Sequence, residues 1–111
     1  MIEKIVREFL KRQLDKEVYM EEQEHMLKEY VLIEKTGSSK ENHIEKAVLA
    51  IQSYAESLQS AAELNERVKG AMEGIVELPS ISKCELNTDY NYTDTKRKKY
   101  RYQAVFDIVH Y

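Results

Sequence analysis

The stretch HIEKAVLAIQSYAESLQSAAELNERVKGAMEGI, His43 to Ile75, decides which architectures are open to this chain. Read as one continuous helix, it points to a coiled coil or a helical bundle. Read as a strand that gives way to a helix near Tyr54, it points to a compact domain of sheet and helices. Phase separates the two readings. At about 100° per residue, Ile44, Val48, Ile51, Ala55, Leu58 and Ala62 make one stripe. Leu58, Ala61, Leu64, Val68, Met72 and Ile75 make a second, displaced from the first by roughly 90–100° at the same step. A single straight helix would have to turn its buried face through a quarter circle, and Leu49 would lie on its wet side. With a period of two, Ala47, Leu49 and Ile51 share one face while Val48, Ala50 and Tyr54 share the other. Two partly apolar faces suit an interior or interface-lining strand. Ser53 and Ser57 are both able to cap the helix that follows. Against this, EKAVLA has high helix propensity. The residues alone leave both readings open, with phase favouring the strand.

The flanking segments carry plainer signals. Ile2, Ile5, Val6, Phe9 and Leu10 fall at helical spacing with Leu14 one turn on, so the N-terminus is an amphipathic helix. Glu3 with Arg7, and Glu8 with Arg12, support its wet face at i,i+4. EVYMEE and KEYVLIEKT are short aromatic or β-branched runs that predict strands, with EEQEHMLK as a loop between them. TGSSKEN, around Gly37, has the composition of a turn. Gly74 and Pro79 bracket the end of the second helix. SISKCELNTDYNYT and KYRYQAVFDIVHY are then two long extended runs, joined by DTKRKK into a hairpin. In the last run Tyr100, Tyr102, Ala104, Phe106 and Ile108 alternate with Arg101, Gln103, Val105, Asp107 and Val109. The expected fold is therefore α+β: one mixed or antiparallel sheet of about five strands, with an N-terminal helix and a second helix between strands three and four.

At 111 residues the chain is expected to be a single domain, residues 1–111, with enough length for a real core. A net charge of -3 argues against general affinity for nucleic acid, which needs a basic excess. Cys84 is the one cysteine, which excludes an internal disulfide framework or a thiolate metal cluster and suits a reducing compartment. The N-terminal pattern carries charges throughout, so it is expected to be neither a signal peptide nor a membrane span.

Chemical signatures are sparse. Glu21, Glu22, Glu24 and His25 in EEQEHM offer cation ligands, but without the converging spacing a metal site needs; a solvated acidic loop is the better reading. His25, His43 and His110 fall in separate segments and form no nucleophile or acid–base arrangement. TGSSK lacks the first glycine and the Gly-Lys pair of a phosphate loop. The expectation is a protein that is not an enzyme and has no cofactor. The segment TDTKRKKYRY gathers Lys96, Arg97, Lys98, Lys99 and Arg101 beside Tyr100 and Tyr102, a mixture able to bind nucleic acid. Two other readings are a soluble hairpin tip whose lysines guard a strand end, and a contact for an acidic partner surface. The eight tyrosines suit half-buried sheet positions and also protein interfaces.

The order of elements and its particular words resemble the small tail terminator proteins (tail completion, or head–tail joining) of long-tailed bacteriophages and prophages. The resemblance spans nearly the whole chain: the N-terminal amphipathic helix, VYMEE followed by KEYVLIEKTGSS, then AIQSYAESLQSAAELNERVKGAM, and the closing YRYQAVFDIVHY. In such proteins the segment matching VLAIQSYA is a strand and a helix follows AES, which implies a strand from His43 to about Tyr54. The resemblance also implies a structural role. A ring, typically of six copies, caps the tail tube at its final length and presents a surface to the connector of the filled head. The implied partners are further copies of the chain, the tail tube protein and the head connector or completion protein, with no membrane and no specific nucleic acid. The implied location is the head-proximal end of the virion tail, and the host bacterial cytoplasm during assembly. The expected contact elements are the exposed Thr36–Asn42 loop, with Thr36, Gly37, Ser38 and Ser39, and the hairpin tip with Lys96, Arg97, Lys98 and Lys99. The alternative is a small intracellular α+β binding or regulatory module.

Overall fold

Period two prevails in the contested stretch. In the computed structural model, which describes residues 1–24 and 27–111, Ile44–Ala55 is a strand and a helix begins at Leu58. In chain order the elements are α1 (Ile2–Leu14), β1 (Val18–Tyr19), β2 (Tyr30–Glu41), β3 (Ile44–Ala55), α2 (Leu58–Glu73), a short 3-10 turn (Ile75–Glu77), β4 (Ile81–Asn91) and β5 (Tyr100–His110). They form one mixed five-stranded sheet of order β1-β2-β3-β5-β4. The β1–β2 pair is parallel and the other neighbours are antiparallel. The fold is thus α+β, with the second helix between the third and fourth strands.

The two faces of the sheet are made differently. Ala47, Leu49 and Ile51 of β3 pair with Ile108, Phe106 and Ala104 of β5 on the face that carries both helices. Val31 and Ile33 of β2 join them, and α1 adds Ile2, Val6, Phe9, Leu10 and Leu14. Leu64, Val68 and Met72 of α2, with Ile75 after it, complete the core. Each of the larger of these side chains (Val, Leu, Ile, Met and Phe) removed from water contributes on the order of 1.5–3 kcal/mol, so the dry face holds the fold together.

Caps close both helices. Ser57, extended at φ -138° and ψ 159°, accepts the Ser60 N–H at 3.1 Å, so of the two candidate caps Ser57 serves. Ser53 instead lies wholly buried within β3. Asp15 ends α1 in the left-handed region, and its N–H bonds to the Lys11 carbonyl. Arg67 of α2 donates to the Leu14 carbonyl at 2.7 Å, and Arg7 of α1 donates to the Val18 carbonyl at 2.9 Å. These bonds tie α1 to its neighbours through carbonyls that the helix end and the strand leave open.

Several details differ from the expectations. The EVYMEE strand is only Val18–Tyr19. Glu21–Glu24, Leu27 and Lys28 form neither helix nor strand, while His25 and Met26, and with them the histidine ligand considered for that loop, lie outside the described residues. Leu58 is 41% exposed, because it opens α2 before the helix turns onto the sheet. The largest difference concerns TGSSKEN. Thr36–Glu41 is not a loop but the outer half of β2, paired with β3 out to Glu41↔Ile44. The turn is Asn42–His43 alone, with φ 50° and 65°. A two-residue loop with both φ positive is the hairpin turn matched to strand twist, and Asn and His tolerate that region better than most residues. Gly37 is not used for a turn: its φ is not positive, and a Cβ there would meet Val48 Cγ2 at an ordinary 3.9 Å. The irregularity near it is a bulge, at which pairing skips Thr36 between Lys35 and Gly37.

Candidate interaction surface

The residues expected to make contacts fall into two groups at opposite ends of the sheet. Ser38 and Ser39 pair with Ala47 and Lys46, near the Asn42–His43 turn, where β5 finishes at His110. The Lys96–Lys99 tip lies beyond the other end, where Ala55 of β3 pairs with Tyr100. Between Ile44 and Ala55 the strand spans about 36 Å at about 3.3 Å per residue, close to the 44 Å length of a molecule 25 Å wide. The structure therefore does not bring the two groups together. Thr36, Ser38 and Ser39 are exposed, Gly37 is half-buried, and the Thr36 hydroxyl bonds to the Val48 carbonyl at 3.4 Å.

The tip is a tightly specified turn. Asp94 and Lys99 exchange backbone hydrogen bonds at 3.0 and 3.1 Å. The Asp94 carboxylate accepts the Lys96 and Arg97 N–H groups, and Lys98 takes φ 54°. Short polar side chains that capture their own backbone are how such turns are set. Beneath the tip is an open groove of about 350 Å³. Tyr30, Tyr54, Ala55 and Tyr100 line it together with Leu27, and Lys28, Lys98 and Lys99 bring cations to it.

From this end a polar lattice runs across the face that carries no helix. Tyr30 stacks on Tyr54 with ring centroids 4.5 Å apart, and Tyr19 meets Tyr30 edge-on at 6.0 Å. The Tyr54 hydroxyl donates to Gln52 Oε1 at 2.9 Å and accepts from Arg101 Nη1 at 3.0 Å. Gln52 Nε2 donates to Gln103 Oε1 at 2.8 Å, and Gln103 Nε2 donates to the Tyr90 hydroxyl at 2.5 Å. Arg101 also bonds to the Tyr92 carbonyl at 2.6 Å and lies 4.4 Å from the Tyr92 ring centroid, close enough for a cation–π contact. Burial, helped by Tyr54 and by the Glu22 carboxylate, pushes the Tyr30 hydroxyl up to about 12. Tyr30 stays a neutral ring at any physiological pH.

This lattice was not anticipated, although strand parity placed Arg101 with Gln103. The register that sets Gln52 opposite Gln103 and Tyr90 beside it joins residues far apart in the chain, and no local pattern carries it.

Elsewhere the chemistry is structural. Cys84 packs against the core, and burial first, then Asp107 and Glu85, pushes its thiol up to about 11. A protonated thiol is a poor nucleophile at neutral pH. Lys69 is held protonated by Glu66 and Asp89, and Asp89 also accepts from Asn65, which fastens α2 to β4. His110 stands 3.6 Å from Glu45, whereas His43 is an exposed turn residue. Among the described residues no three His, Cys, Asp or Glu side chains converge as metal ligands. No helix there is long and apolar enough to cross a membrane. No protein-family model matches this chain, and no curated protein matches it either.

Proposed function

We propose that this chain is a virion structural protein of the tail terminator type: copies form a ring that caps the tail tube and joins it to the head connector. The observation that carries this reading is the two-ended construction of one continuous sheet. A joining subunit must meet one partner on each side of a ring. Here a polar hairpin end and a basic, aromatic end stand at opposite ends of the same 12-residue strand, β3. The element order is also that of the proteins the sequence resembles, although fold alone never fixes function. No catalytic role, cofactor or metal belongs to this reading, and its partners are copies of the chain, the tube protein and the connector. The alternative, a small protein-binding module, would draw on the Tyr30–Tyr54–Tyr90 face instead of the two ends.

The test is complementation of a terminator-null phage lysate. Purified protein is expected to restore tails of normal length and joined particles, with an added ring at one tube end in negative stain. Failure of the wild-type protein to do so would count against the assignment. Replacing Lys96, Arg97, Lys98 and Lys99 by Ser should shift stability by under about 0.5 kcal/mol, as exposed changes do. It should also lower the yield of joined particles in the same way as added salt. Full complementation by that variant would remove the tip from docking.

A further inference from the structure

We infer that copies of this chain join edge to edge: β4 of one copy adds as an antiparallel strand to the outer half of β2 of the next. The inference deepens the ring reading and rests on it for one thing, that neighbours stand side by side in the same orientation. The rest follows from the two rims of the sheet.

Both rims are open. β4 is the last strand on one side of the sheet. On the other side β1 covers β2 only at Val31 and Leu32, so among the described residues no strand lies outside residues 33–41. Direction fits as well. β2 and β5 both run antiparallel to β3, and β4 runs antiparallel to β5. Copies in one orientation therefore present β4 and β2 antiparallel.

The backbone groups also face the right way. The Tyr92 N–H bonds to the Arg101 carbonyl and the Tyr111 N–H to the Ser80 carbonyl. Antiparallel pairs alternate, so Lys83, Glu85 and Thr88 turn their backbone groups toward β5 while Cys84, Leu86 and Asp89 turn theirs outward. On β2 the two-residue turn makes Glu41 and Ile44 a hydrogen-bonded pair, and the same alternation turns Lys35, Ser38 and Lys40 outward. Cys84 and Leu86 lie opposite Ile108 and Phe106, and Ser38 and Lys35 lie opposite Ala47 and Leu49. All of these belong to the helix-bearing face, so the two rims pair with their helices on the same side.

β1 fixes the register. A neighbour's β4 must stop short of Leu32, which places its last residue, Asn91, beside Ile33 of the next copy. Asp89 then stands opposite Lys35, Thr88 opposite Gly37, Leu86 opposite Ser38 and Lys83 opposite Glu41. The first and last of these rungs join opposite charges. Bulges and lysines commonly guard an edge against stray pairing, and both rims carry them. Here the bulges flank a single rung. β4 skips Asn87 between Leu86 and Thr88, β2 skips Thr36 between Lys35 and Gly37, and the rung of Thr88 with Gly37 lies between the two skips. Register is regained beyond it, so the bulges exclude a regular strand and admit this one. The other β4 bulge, at Ser82, falls past Glu41, where β2 has ended.

Apolar surface marks the same joint. Leu86 is 44% exposed and lines a cavity of about 280 Å³ with Met72, Phe106 and Cys84. Ser38, its rung partner in the next copy, lines a cavity with Met1 and Ile2, and Met1 is 72% exposed. The joint sets Leu86 of one copy beside Met1 of the next and removes both from water. Strand addition of this kind takes affinity from backbone bonds and selectivity from the side-chain pockets beside them. The two rims are different patches, so the contact is heterologous and passes from copy to copy until the rotation between them closes a ring.

Disulfide trapping on the full chain tests the register. With Cys84 replaced by Ser, K83C and E41C are introduced together. Within one copy these positions lie three strand spacings apart, about 14 Å at about 4.8 Å each, whereas a disulfide needs Cα atoms within about 7 Å. Between copies they face each other at about 4.5 Å as a pair without hydrogen bonds. Mild oxidation of concentrated protein is expected to give a ladder of covalent trimers and higher species on non-reducing denaturing gels. The chain with K96C in place of E41C measures random collision. A ladder no stronger than that control, or one that stops at dimers, would overturn the inference. Leu86→Pro removes an outward N–H from the new ladder and none from the pairing with β5. It should weaken trapping at least about fivefold with unchanged circular dichroism. If that variant loses its fold, Leu86→Glu, which keeps every backbone bond, must weaken trapping alike by setting a carboxylate against Met1. Undiminished trapping in the folded variant would also overturn the inference. A ladder from protein that caps no tails would sink the terminator reading and leave the joint standing; capped tails without a ladder would do the reverse.

Discussion

The Gln52–Gln103 bond is the point at which the helix-free face is most sensitive to change. Both side chains are nearly inaccessible, at 6% and 9% exposure, although no helix covers them. Gln103→Leu leaves Gln52 Nε2 with no acceptor in a site that water scarcely reaches. A stranded buried donor costs about 1–3 kcal/mol, partly offset by the apolar surface the leucine buries, so a net loss of about 1–2 kcal/mol is expected. Gln52→Leu strands Gln103 Oε1 and the Tyr54 O–H together, and its cost should be at least as large. The double leucine variant removes donor and acceptor at once. Tyr90 is 41% exposed and turns to water, and Tyr54 keeps Arg101 as a donor to its oxygen. The double variant should therefore be more stable than the sum of the singles predicts, with a coupling of about 1–2 kcal/mol. Urea unfolding reads this as midpoint shifts at unchanged slope; with slopes of about 1–3 kcal/mol/M, each single variant loses about 0.3–2 M. Additivity within about 0.5 kcal/mol would refute the reasoning. It would mean that the amides bond to water and that the lattice is not a unit.

Phe9 is 6% exposed among Leu10, Leu64 and their neighbours, so Phe9→Ala should cost about 3–5 kcal/mol in the same unfolding assay; a loss of a few tenths would make α1 a detachable arm. Because Tyr30 holds its proton up to about 12 against 10.0 when unfolded, its contribution to stability is intact below about pH 10. That contribution is lost as the pH rises from about 10 to about 12. Ultraviolet titration should show one late tyrosine that Tyr30→Phe abolishes, and a late phase surviving that change would reassign it. Cys84, with its thiol pushed up to about 11, should be alkylated at pH 8 far more slowly in the folded protein than in urea. Equal rates would show that the thiol is open to solvent.

The fold was largely legible because its core obeys simple periods. The shift of the apolar stripe near Leu58 marked the change from β3 to α2, and the alternation from Tyr100 to Ile108 separated the core face of β5 from the face that carries no helix. Propensity misled where pairing overrode it. Gly37, Ser38 and Ser39 have the composition of a turn, yet partners on β3 hold them extended, and the reversal falls on Asn42–His43. Local composition reports which residues tolerate a turn, whereas register decides where the turn is needed. The candidate site was legible only in part. A run of four cations announces a hairpin tip, and Asp94 before it supplies the capping carboxylate. The tyrosine and glutamine lattice was hidden, because Tyr54, Tyr90 and Gln103 become neighbours only through strand pairing across β3, β5 and β4.

That lattice also makes the two ends of the sheet mechanically unlike. At the tip end Tyr30, Tyr54, Arg101 and Tyr92 stack and bond to one another, and Arg101 reaches both β3 and the start of the tip through the Tyr54 hydroxyl and the Tyr92 carbonyl. A surface built this way is formed before any partner arrives, so little ordering is required of it on binding. At the other end, Ser38 to Glu45 of the β2–β3 hairpin rely on strand pairing and one two-residue turn, with most side chains in water. Few buried contacts and an exposed backbone place a segment at the low end of local stability. On the ring reading proposed above, the stiff basic end is suited to a contact made first and on the strength of long-range charge. The hairpin end is suited to a contact that orders only once neighbouring copies hold it in place, when many weak contacts act together.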